Sequence, residues 1–290
     1  MPESVISRFA PSPTGRLHLG HAFSALRAHD VARTRGGRFL LRIEDIDPTR
    51  CRPDHVTGIF EDLRWLGIEW DGEPVFQSRR LPLYAGALDR LKAAGLVYPC
   101  FCTRARIAAE IAASAAAPHG PDGALYPGTC RRLAEAERAA RVAAGEAHGW
   151  RLDVARATAT TGPLSWQDAA AGEIVATPEI HGDVVLARKD APTSYHLAVT
   201  VDDAAQGVTD VVRGHDLFAA THVHRLLQAL LALPTPRYHH HPLLLDERGE
   251  RLAKRAGSPT LASMRAEGVD AAELVRGLRS RFPLPAKGGE

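Results

Sequence analysis

The sequence predicts an α/β fold built on a parallel sheet. Three features carry the prediction: a strand, loop, helix, strand succession over residues 4–43, helix-patterned stretches at 53–66 and 81–94, and short apolar strand segments that return after residue 150. Residues 4–10 form a partly apolar run that stops at Pro11 and Pro13, which cannot continue a hydrogen-bonded ladder, so a strand gives way to a loop. Beyond Gly20, residues 21–35 place Ala22, Leu26, Ala28 and Val31 among good helix formers, and Gly36-Gly37 ends the helix. Arg38-Phe-Leu-Leu-Arg-Ile43 is mostly apolar, as a parallel strand buried on both faces is. In such a βαβ unit the first loop lies at the carboxyl end of its strand, where open α/β sheets bind ligands.

Apolar residues recur at helical spacing over 53–66 and 81–94, and the breaker run Asp71-Gly-Glu-Pro74 separates the two stretches. Residues 108–117 and 133–147 are Ala-rich and predicted helical. The Pro/Gly/Asp cluster at 118–128 lies between them, and the whole segment reads as an insertion. Strands are predicted at 150–154, 183–187, 196–201 and 211–212, followed by a helix at 221–233. The apolar part of that helix carries Gln228 and ends at Pro234, which suits a core helix rather than a membrane one. Residues 283–290 are predicted to fray.

With 290 residues, 45% hydrophobic and 24% charged, the chain can bury a full core and a second small domain. No basic segment followed by an apolar run opens it, and no stretch approaches the roughly 18 apolar residues that span a bilayer, so a cytoplasmic location with no membrane association is expected. A net charge of +2 is too small to announce a nucleic-acid partner. Of 36 basic residues only Lys92, Lys189, Lys254 and Lys287 are lysines, which makes each retained lysine informative. Cysteines at 51, 100, 102 and 130 are too few for a secreted disulfide scaffold, and clustered thiols in a reducing compartment point to a metal.

His18 and His21 lie three positions apart at a helix start. That spacing puts both imidazoles on one face, where exposed N–H groups and the helix dipole already favour an anion. Two donors can flank one phosphate, and Gly20 between them lets a flat adenine approach the backbone. Two solvated surface histidines would give the same short pattern. The longer run Arg8-Phe-Ala-Pro-Ser-Pro-Thr-Gly-Arg-Leu-His-Leu-Gly-His21 is far more specific. It resembles the HIGH signature of class I aminoacyl-tRNA synthetases, in the form used by glutamyl and glutaminyl members, with Leu19 in place of the usual isoleucine. Arg251-Leu-Ala-Lys-Arg255 resembles their KMSKS loop in part. Arg251 replaces the first lysine and Ala253 the serine, while Lys254 holds the second lysine position, where a mobile point charge can follow the β- and γ-phosphates into the transition state. Similarity to glutamate-specific members extends through Leu41-Arg-Ile-Glu-Asp-Ile-Asp47, Trp65-Leu-Gly-Ile-Glu-Trp-Asp71, Gln77-Ser-Arg79, Asp202-Asp203 and Val212-Arg-Gly214.

The resemblance implies a Rossmann-type nucleotide-binding domain with an inserted α+β zinc-containing subdomain and a short C-terminal helical segment. The two halves of the catalytic domain would span 1–98 and 191–247, the insertion 99–190, and the KMSKS-like loop with a truncated helical stem 248–290. It implies ATP as substrate, accompanied by Mg2+, with His18, Gly20, His21 and Lys254 at the nucleotide and with His18, His21 and Lys254 as catalytic groups. It also implies L-glutamate as the amino acid. An acidic substrate with an α-ammonium needs a cation for its side-chain carboxylate and an acceptor for its amine. Arg8 and Arg213 can supply bidentate guanidinium contacts, Glu44 can accept from the ammonium, and Tyr195 can donate its hydroxyl. Ser12 joins this set, although a serine between prolines also serves turns. Arg8 and Glu44 could equally pair with each other, and Tyr195 could be an ordinary core-edge aromatic.

Cys100-Phe-Cys102 and Cys130 offer three soft ligands bridged by a turn-rich loop, as structural zinc sites do. The residues alone put His119 first as fourth ligand, because imidazole is a commoner zinc ligand than phenol. Tyr126-Pro-Gly-Thr-Cys130, however, resembles a segment of short glutamyl synthetase relatives in which a tyrosine completes the site, and this favours Tyr126. Buried unliganded cysteines are the alternative, and Cys51 stands apart.

Those short relatives activate glutamate without tRNA and attach it to the cyclopentenediol ring of queuosine at the wobble position of tRNA(Asp). Full-length glutamyl synthetases continue into helical domains that read the anticodon, whereas this sequence stops soon after the KMSKS-like loop. With the run Gln206-Gly-Val-Thr-Asp-Val-Val-Arg-Gly214, that resemblance implies queuosine-containing tRNA(Asp) as partner, and the sequence shows no heptad seam, so a monomer is expected. Three alternatives stay open: a truncated glutamyl-tRNA synthetase charging a tRNA 3′ end, a glutamate ligase for a small acceptor, and an inactive relative that binds tRNA or protein. His239-His-His241 reads as strand-end sequence rather than a metal site, because Pro242 and an apolar run follow it.

Overall fold

A computed structural model describes residues 4–112, 119–121, 123–245 and 259–281 of the chain. Strand β1 (Ile6–Phe9), helix α1 (Leu19–Arg33) and strand β2 (Arg38–Ile43) form the expected βαβ unit, with β1 and β2 parallel. Five of the six β2 residues are buried, as a strand covered on both faces must be. Gly36 turns the chain at a φ of +66°, and Gly37 passes so close to β1 that an added Cβ would lie 2.1 Å from the Val5 carbonyl oxygen. Helix α2 (Pro53–Trp65) leads to β3 (Val75–Phe76), and α3 (Leu81–Ala93) leads to β4 (Val97–Cys100).

The middle of the chain contains α4 (Arg104–Ala112), a two-strand pair β5 (His119–Gly120) and β6 (Gly123–Ala124), and α5 (Glu135–Ala143). It continues through β7 (Gly149–Leu152), α6 (Val154–Thr161), β8 (Ser165–Asp168), β9 (Gly172–Val175) and β10 (Val185–Ala187). The last part comprises α7 (Tyr195–Ala205), β11 (Asp210–Gly214), α8 (Ala220–Leu230), β12 (Arg237–His241), α9 (Leu261–Ala266) and α10 (Ala271–Arg281). The KMSKS-like stretch, with Lys254, and the 283–290 end lie outside the described residues.

One expectation is overturned. The strand expected at 196–201 is instead most of helix α7. Ser194 caps this helix by accepting from Leu197 N, and all residues from Leu197 to Asp203 are buried. A helix buried all round loses the periodicity that separates it from a buried strand.

The main sheet has the order β3-β2-β1-β11-β12-β8-β9. Every neighbouring pair is parallel except β8 with β9. From β1 the chain steps outward to β3 on one side. After the middle segment it resumes at β11 on the other, so the strand order reverses between β1 and β11 and opens a crevice at their carboxyl ends. Strands β4, β7 and β10 form a separate antiparallel sheet, whereas β8 and β9, from the same stretch of sequence, extend the main one.

The largest apolar core fills the space between α1, α2 and the sheet with Phe9, Phe23, Leu26, Phe39, Leu41 and Leu63. Leu261 of α9 is wholly buried in the same core. A second core joins α3, α7 and α8 to the small sheet through Tyr84, Leu88, Leu152, Leu197 and Leu226. Among the described residues no helix is long and apolar enough to cross a membrane.

Candidate active site

The loop after β1 enters α1 through a reciprocal cap made by the two histidines. His18 is the N-cap residue, and its Nδ1 accepts from Gly20 N at 3.1 Å, while His21 Nδ1 accepts from His18 N at 3.3 Å. The rings lie 4.0 Å apart between centroids. Because both Nδ1 atoms act as acceptors, each neutral ring carries its proton on Nε2 and presents an N–H donor there. Two such donors at a helix N-terminus suit an anion. The other side of this loop is tied to the C-terminal helices: Leu261 N donates to Leu17 O at 2.9 Å, and His18 makes an isolated β-bridge with Thr260. The segment that follows the KMSKS-like stretch is therefore anchored beside the histidine pair.

Deeper in the crevice the carboxyl ends of β1, β2 and β11 carry Arg8, Glu44 and Arg213 beside Tyr195 at the start of α7. Glu44 is positioned through its backbone N, which donates to Pro11 O at 3.0 Å. Burial raises the Tyr195 hydroxyl pKa, and the charges of Arg213, Glu44 and Arg8 all act on it, so the four groups share one locality. Ser12 is exposed, and its carbonyl accepts from Thr14 N in a local turn.

The two arginines are in opposite electrostatic states. Arg8 is paired with Asp203 through Nε at 2.9 Å and Nη2 at 3.2 Å, so the fork of its guanidinium is already occupied. Its remaining nitrogen, Nη1, donates to Val212 O at 3.4 Å. Three of the five N–H groups of Arg8 are thus engaged, and the two left, one on each terminal nitrogen, would meet a substrate carboxylate beside a charge that Asp203 already balances. The Arg8–Glu44 pairing considered as an alternative is not made; Asp203 takes that place. Arg213 is equally buried, but its hydrogen-bond partners are neutral: Thr221 Oγ1 at 2.6 Å, His224 Nδ1 at 3.1 Å, His240 Nε2 at 3.2 Å and Tyr195 Oη at 3.4 Å. Burial and the neighbouring charge of Arg213 drive the His224 pKa well down, and together they hold His240 at about 4, so neither imidazole adds charge at neutral pH.

Behind these groups lies a buried charge network that local sequence patterns did not disclose. Arg42 donates to Asp203 Oδ1 at 2.8 Å and to Gln206 Oε1 at 2.8 Å, and approaches Glu44 Oε1 at 3.7 Å. Burial alone would weaken the Arg42 charge, but Asp203, Glu44 and Asp202 outweigh it. Asp202 accepts from Arg80, Tyr84 and Gln77, which locks α7 to α3. Burial pushes the Glu44 pKa up to about 7; Arg42 and Arg8 oppose the rise, and Asp203 and Asp202 add to it. The adjacent carboxylates Asp202-Asp203 inside an apolar run were the available sequence signal for this network.

At the end of β4, Cys100 meets Cys102 and Cys130 from the adjoining loops; all three are buried, with their Sγ atoms within 4.8 Å of one another. The Tyr126 hydroxyl lies 3.5 Å from both Cys100 Sγ and Cys102 Sγ and accepts from Cys130 N at 2.9 Å. Arg151 stacks on the Tyr126 ring and points Nε at Cys100 Sγ, 3.4 Å away. Three thiols and a phenol converging from the end of β4 and two loops are a donor set suited to a four-coordinate soft cation. Burial raises the Cys102 thiol to about 11 and raises the Tyr126 phenol as well, an environment that a divalent cation would reverse. Cys51 lies elsewhere, beside Glu44 O. A cleft of about 680 Å³ runs from Cys100 and Cys102 past Arg104 and Lys189 to Tyr195 and His196, connecting the thiol cluster with the edge of the Arg213 pocket.

Comparison with known proteins matches residues 4–290 to the family of class I tRNA synthetases (E and Q), catalytic domain. A curated relative from Rhodobacter capsulatus, named glutamyl-Q tRNA(Asp) synthetase, is 53% identical over 281 residues, covering 94% of this chain and 99% of that protein. One of the same name from Symbiobacterium thermophilum is 46% identical over 278 residues, covering 92% of this chain and 83% of its own. Among solved structures, a glutamate tRNA ligase from Elizabethkingia meningosepticum in complex with its amino acid superposes with a TM-score of 0.74 at 28% identity. That match covers 89% of this chain and 54% of the ligase, so the chain spans about half the length of that solved structure.

Proposed function

The chain belongs to the class I tRNA synthetases that serve glutamate and glutamine, and within them to the glutamyl-Q tRNA(Asp) synthetases, and from that premise we propose that it uses ATP to activate L-glutamate, without tRNA, and transfers it to queuosine at the wobble position of tRNA(Asp). In the first step an oxygen of the glutamate α-carboxylate attacks the α-phosphorus of ATP. The bond from that phosphorus to the bridging oxygen breaks, and pyrophosphate leaves with Mg2+. In the second, a hydroxyl oxygen of the queuosine cyclopentenediol attacks the adenylate carbonyl carbon, gives up its proton, and AMP departs.

The observation that carries the choice of glutamate is the buried Arg213 guanidinium surrounded by neutral partners. A buried cation costs several kcal/mol unless an anion compensates it, and a substrate side-chain carboxylate supplies one. Glu44 would accept from the α-ammonium, with Tyr195 and the remaining N–H groups of Arg8 completing the contacts and Ser12 at the rim. His18 and His21 would donate Nε2–H to the phosphates, with Gly20 beneath the adenine and Lys254 reaching in from the KMSKS-like loop. Such groups act by positioning and by stabilising charge that develops at phosphorus. Cys100, Cys102, Tyr126 and Cys130 would hold Zn2+, which when bound closes the small subdomain as a structural site. The cleft between that cluster and Tyr195 gives an acceptor nucleoside a route to the adenylate.

Glutamate-dependent exchange of pyrophosphate into ATP, with no tRNA present, tests the first step. Exchange with glutamate and little or none with glutamine or aspartate supports the reading. Exchange that appears only after tRNA is added contradicts it.

A further inference from the structure

Three adjacent parallel strands carry Arg213, His240 and Asp168 in a row. Arg213 of β11 and His240 of β12 are register partners, and β12 pairs in turn with β8, where Asp168 is the register partner of Tyr238, two residues before His240. The side chains are joined along the same line: Arg213 Nε lies 3.2 Å from His240 Nε2, and His240 Nδ1 lies 2.8 Å from Asp168 Oδ2. His240 and Asp168 are almost completely buried. A guanidinium Nε–H only donates, so His240 Nε2 must accept; the ring proton then sits on Nδ1 and is donated to Asp168. The hydrogen bonds allow a single tautomer.

We propose that Asp168 and His240 are positioning residues for recognition of the amino acid: they fix the plane of the Arg213 guanidinium while keeping its counter-charge one imidazole away. This rests on the reading that Arg213 holds the substrate side-chain carboxylate. The contrast with Arg8 explains why the intermediary matters. Asp203 binds Arg8 directly at 2.9 Å and cancels its charge locally. A carboxylate placed so against Arg213 would leave a pocket with little preference for an acid over its amide. With His240 interposed and neutral, the guanidinium is oriented yet still unpaired, so glutamate gains an ion pair that glutamine cannot make. His224 performs the matching task at Nη1: its Nδ1 accepts at 3.1 Å while its Nε2 lies 3.2 Å from His196 Nδ1.

Asp168 also has a local structural duty, and its two oxygens divide the work. Oδ1 accepts from Ala170 N at 2.9 Å and from Ala171 N at 3.0 Å, holding the turn between β8 and β9, whereas Oδ2 accepts from the His240 ring at 2.8 Å and, more weakly, from His240 N at 3.3 Å. Asp168→Asn can keep the turn contacts on its oxygen and present its NH2 to His240 Nδ1. That forces the other tautomer and sets an Nε2–H against the N–H of Arg213.

The test measures KM for glutamate and for ATP, and the glutamate-over-glutamine preference, by pyrophosphate exchange with the full chain carrying Asp168→Asn, His240→Leu, His240→Gln or Arg213→Lys. Asp168→Asn and His240→Leu are expected to raise KM for glutamate by about tenfold to a hundredfold and to lower the acid-over-amide preference, with KM for ATP within about twofold. His240→Gln, whose carbonyl can accept from Arg213, should recover most of the loss. Should Asp168→Asn not fold, the His240 pair reads the same link. Unchanged glutamate KM in both Asp168→Asn and His240→Leu, alongside an impaired Arg213→Lys, overturns the proposal while sparing the role of Arg213. Parallel rises in both KM values also overturn it. An Arg213→Lys variant that binds glutamate normally removes the reading beneath it.

Discussion

Glutamate affinity should fall as the pH drops below neutrality, through one carboxylate. Glu44 titrates at about 7 because burial disfavours its charge more than Arg42 and Arg8 favour it. An α-ammonium requires the ionised form as acceptor. The folded pKa lies above the usual carboxylate value, so the binding-competent form dominates above about 7 and is lost below it. One pH unit under that midpoint leaves about a tenth of the molecules ionised, so the apparent Kd should rise about tenfold per unit, or about 1.4 kcal/mol. Isothermal titration of L-glutamate into ATP-free protein, from about pH 5.5 to 8.0, reads this directly, because the ammonium of a free amino acid, held by its own α-carboxylate, is more basic than a chain N-terminus and stays protonated over that range. Glu44→Gln should bind weakly at every pH and show no slope. A flat wild-type profile, or a slope that survives in Glu44→Gln, would refute the reasoning.

Other consequences follow from the same geometry. His18→Ala or His21→Ala should lower kcat for pyrophosphate exchange by about 100-fold to 1,000-fold, the range for losing one donor to developing charge, while KM for glutamate changes little; an equal rise in glutamate KM would move these residues out of the phosphate site. Tyr126→Phe should cost the protein most of its zinc by elemental analysis, and His119→Ala should keep it; full retention in the first variant would remove the phenol from the ligand set. Leu261→Ala should destabilise by about 3 kcal/mol, read as a drop of several degrees in Tm, since the side chain is wholly buried in the main core. An unchanged Tm would mean that α9 is not docked there in solution.

The βαβ unit was legible because its elements have distinct periods and end at Pro11, Gly36 and Gly37. Helix α7 was not, because its residues from Leu197 to Asp203 are buried on every side and rich in β-branched types; the informative signal was the capping Ser194. Strands β8 and β9 escaped notice because Ser165-Trp-Gln-Asp168 is short and polar, with only Trp166 and Asp168 buried. Arg213, Glu44 and Tyr195 were found through motif resemblance, and the fold brings them together. What no local pattern could disclose was their electrostatic state. Arg8 is neutralised by a residue 195 positions away, and His240 is held by one 72 positions away. Those partners meet only when the sheet assembles, so an occupied arginine and an available one look alike in sequence.

Glutamate activated at this site is proposed to go to a modified anticodon base. The most direct measurement incubates the protein with ATP and labelled glutamate, together with tRNA(Asp) carrying queuosine, tRNA(Asp) lacking it, or tRNA(Glu). Label is expected only on the queuosine-bearing tRNA, surviving removal of the 3′ end by nuclease; equal labelling of tRNA(Glu) at its 3′ terminus would overturn that assignment.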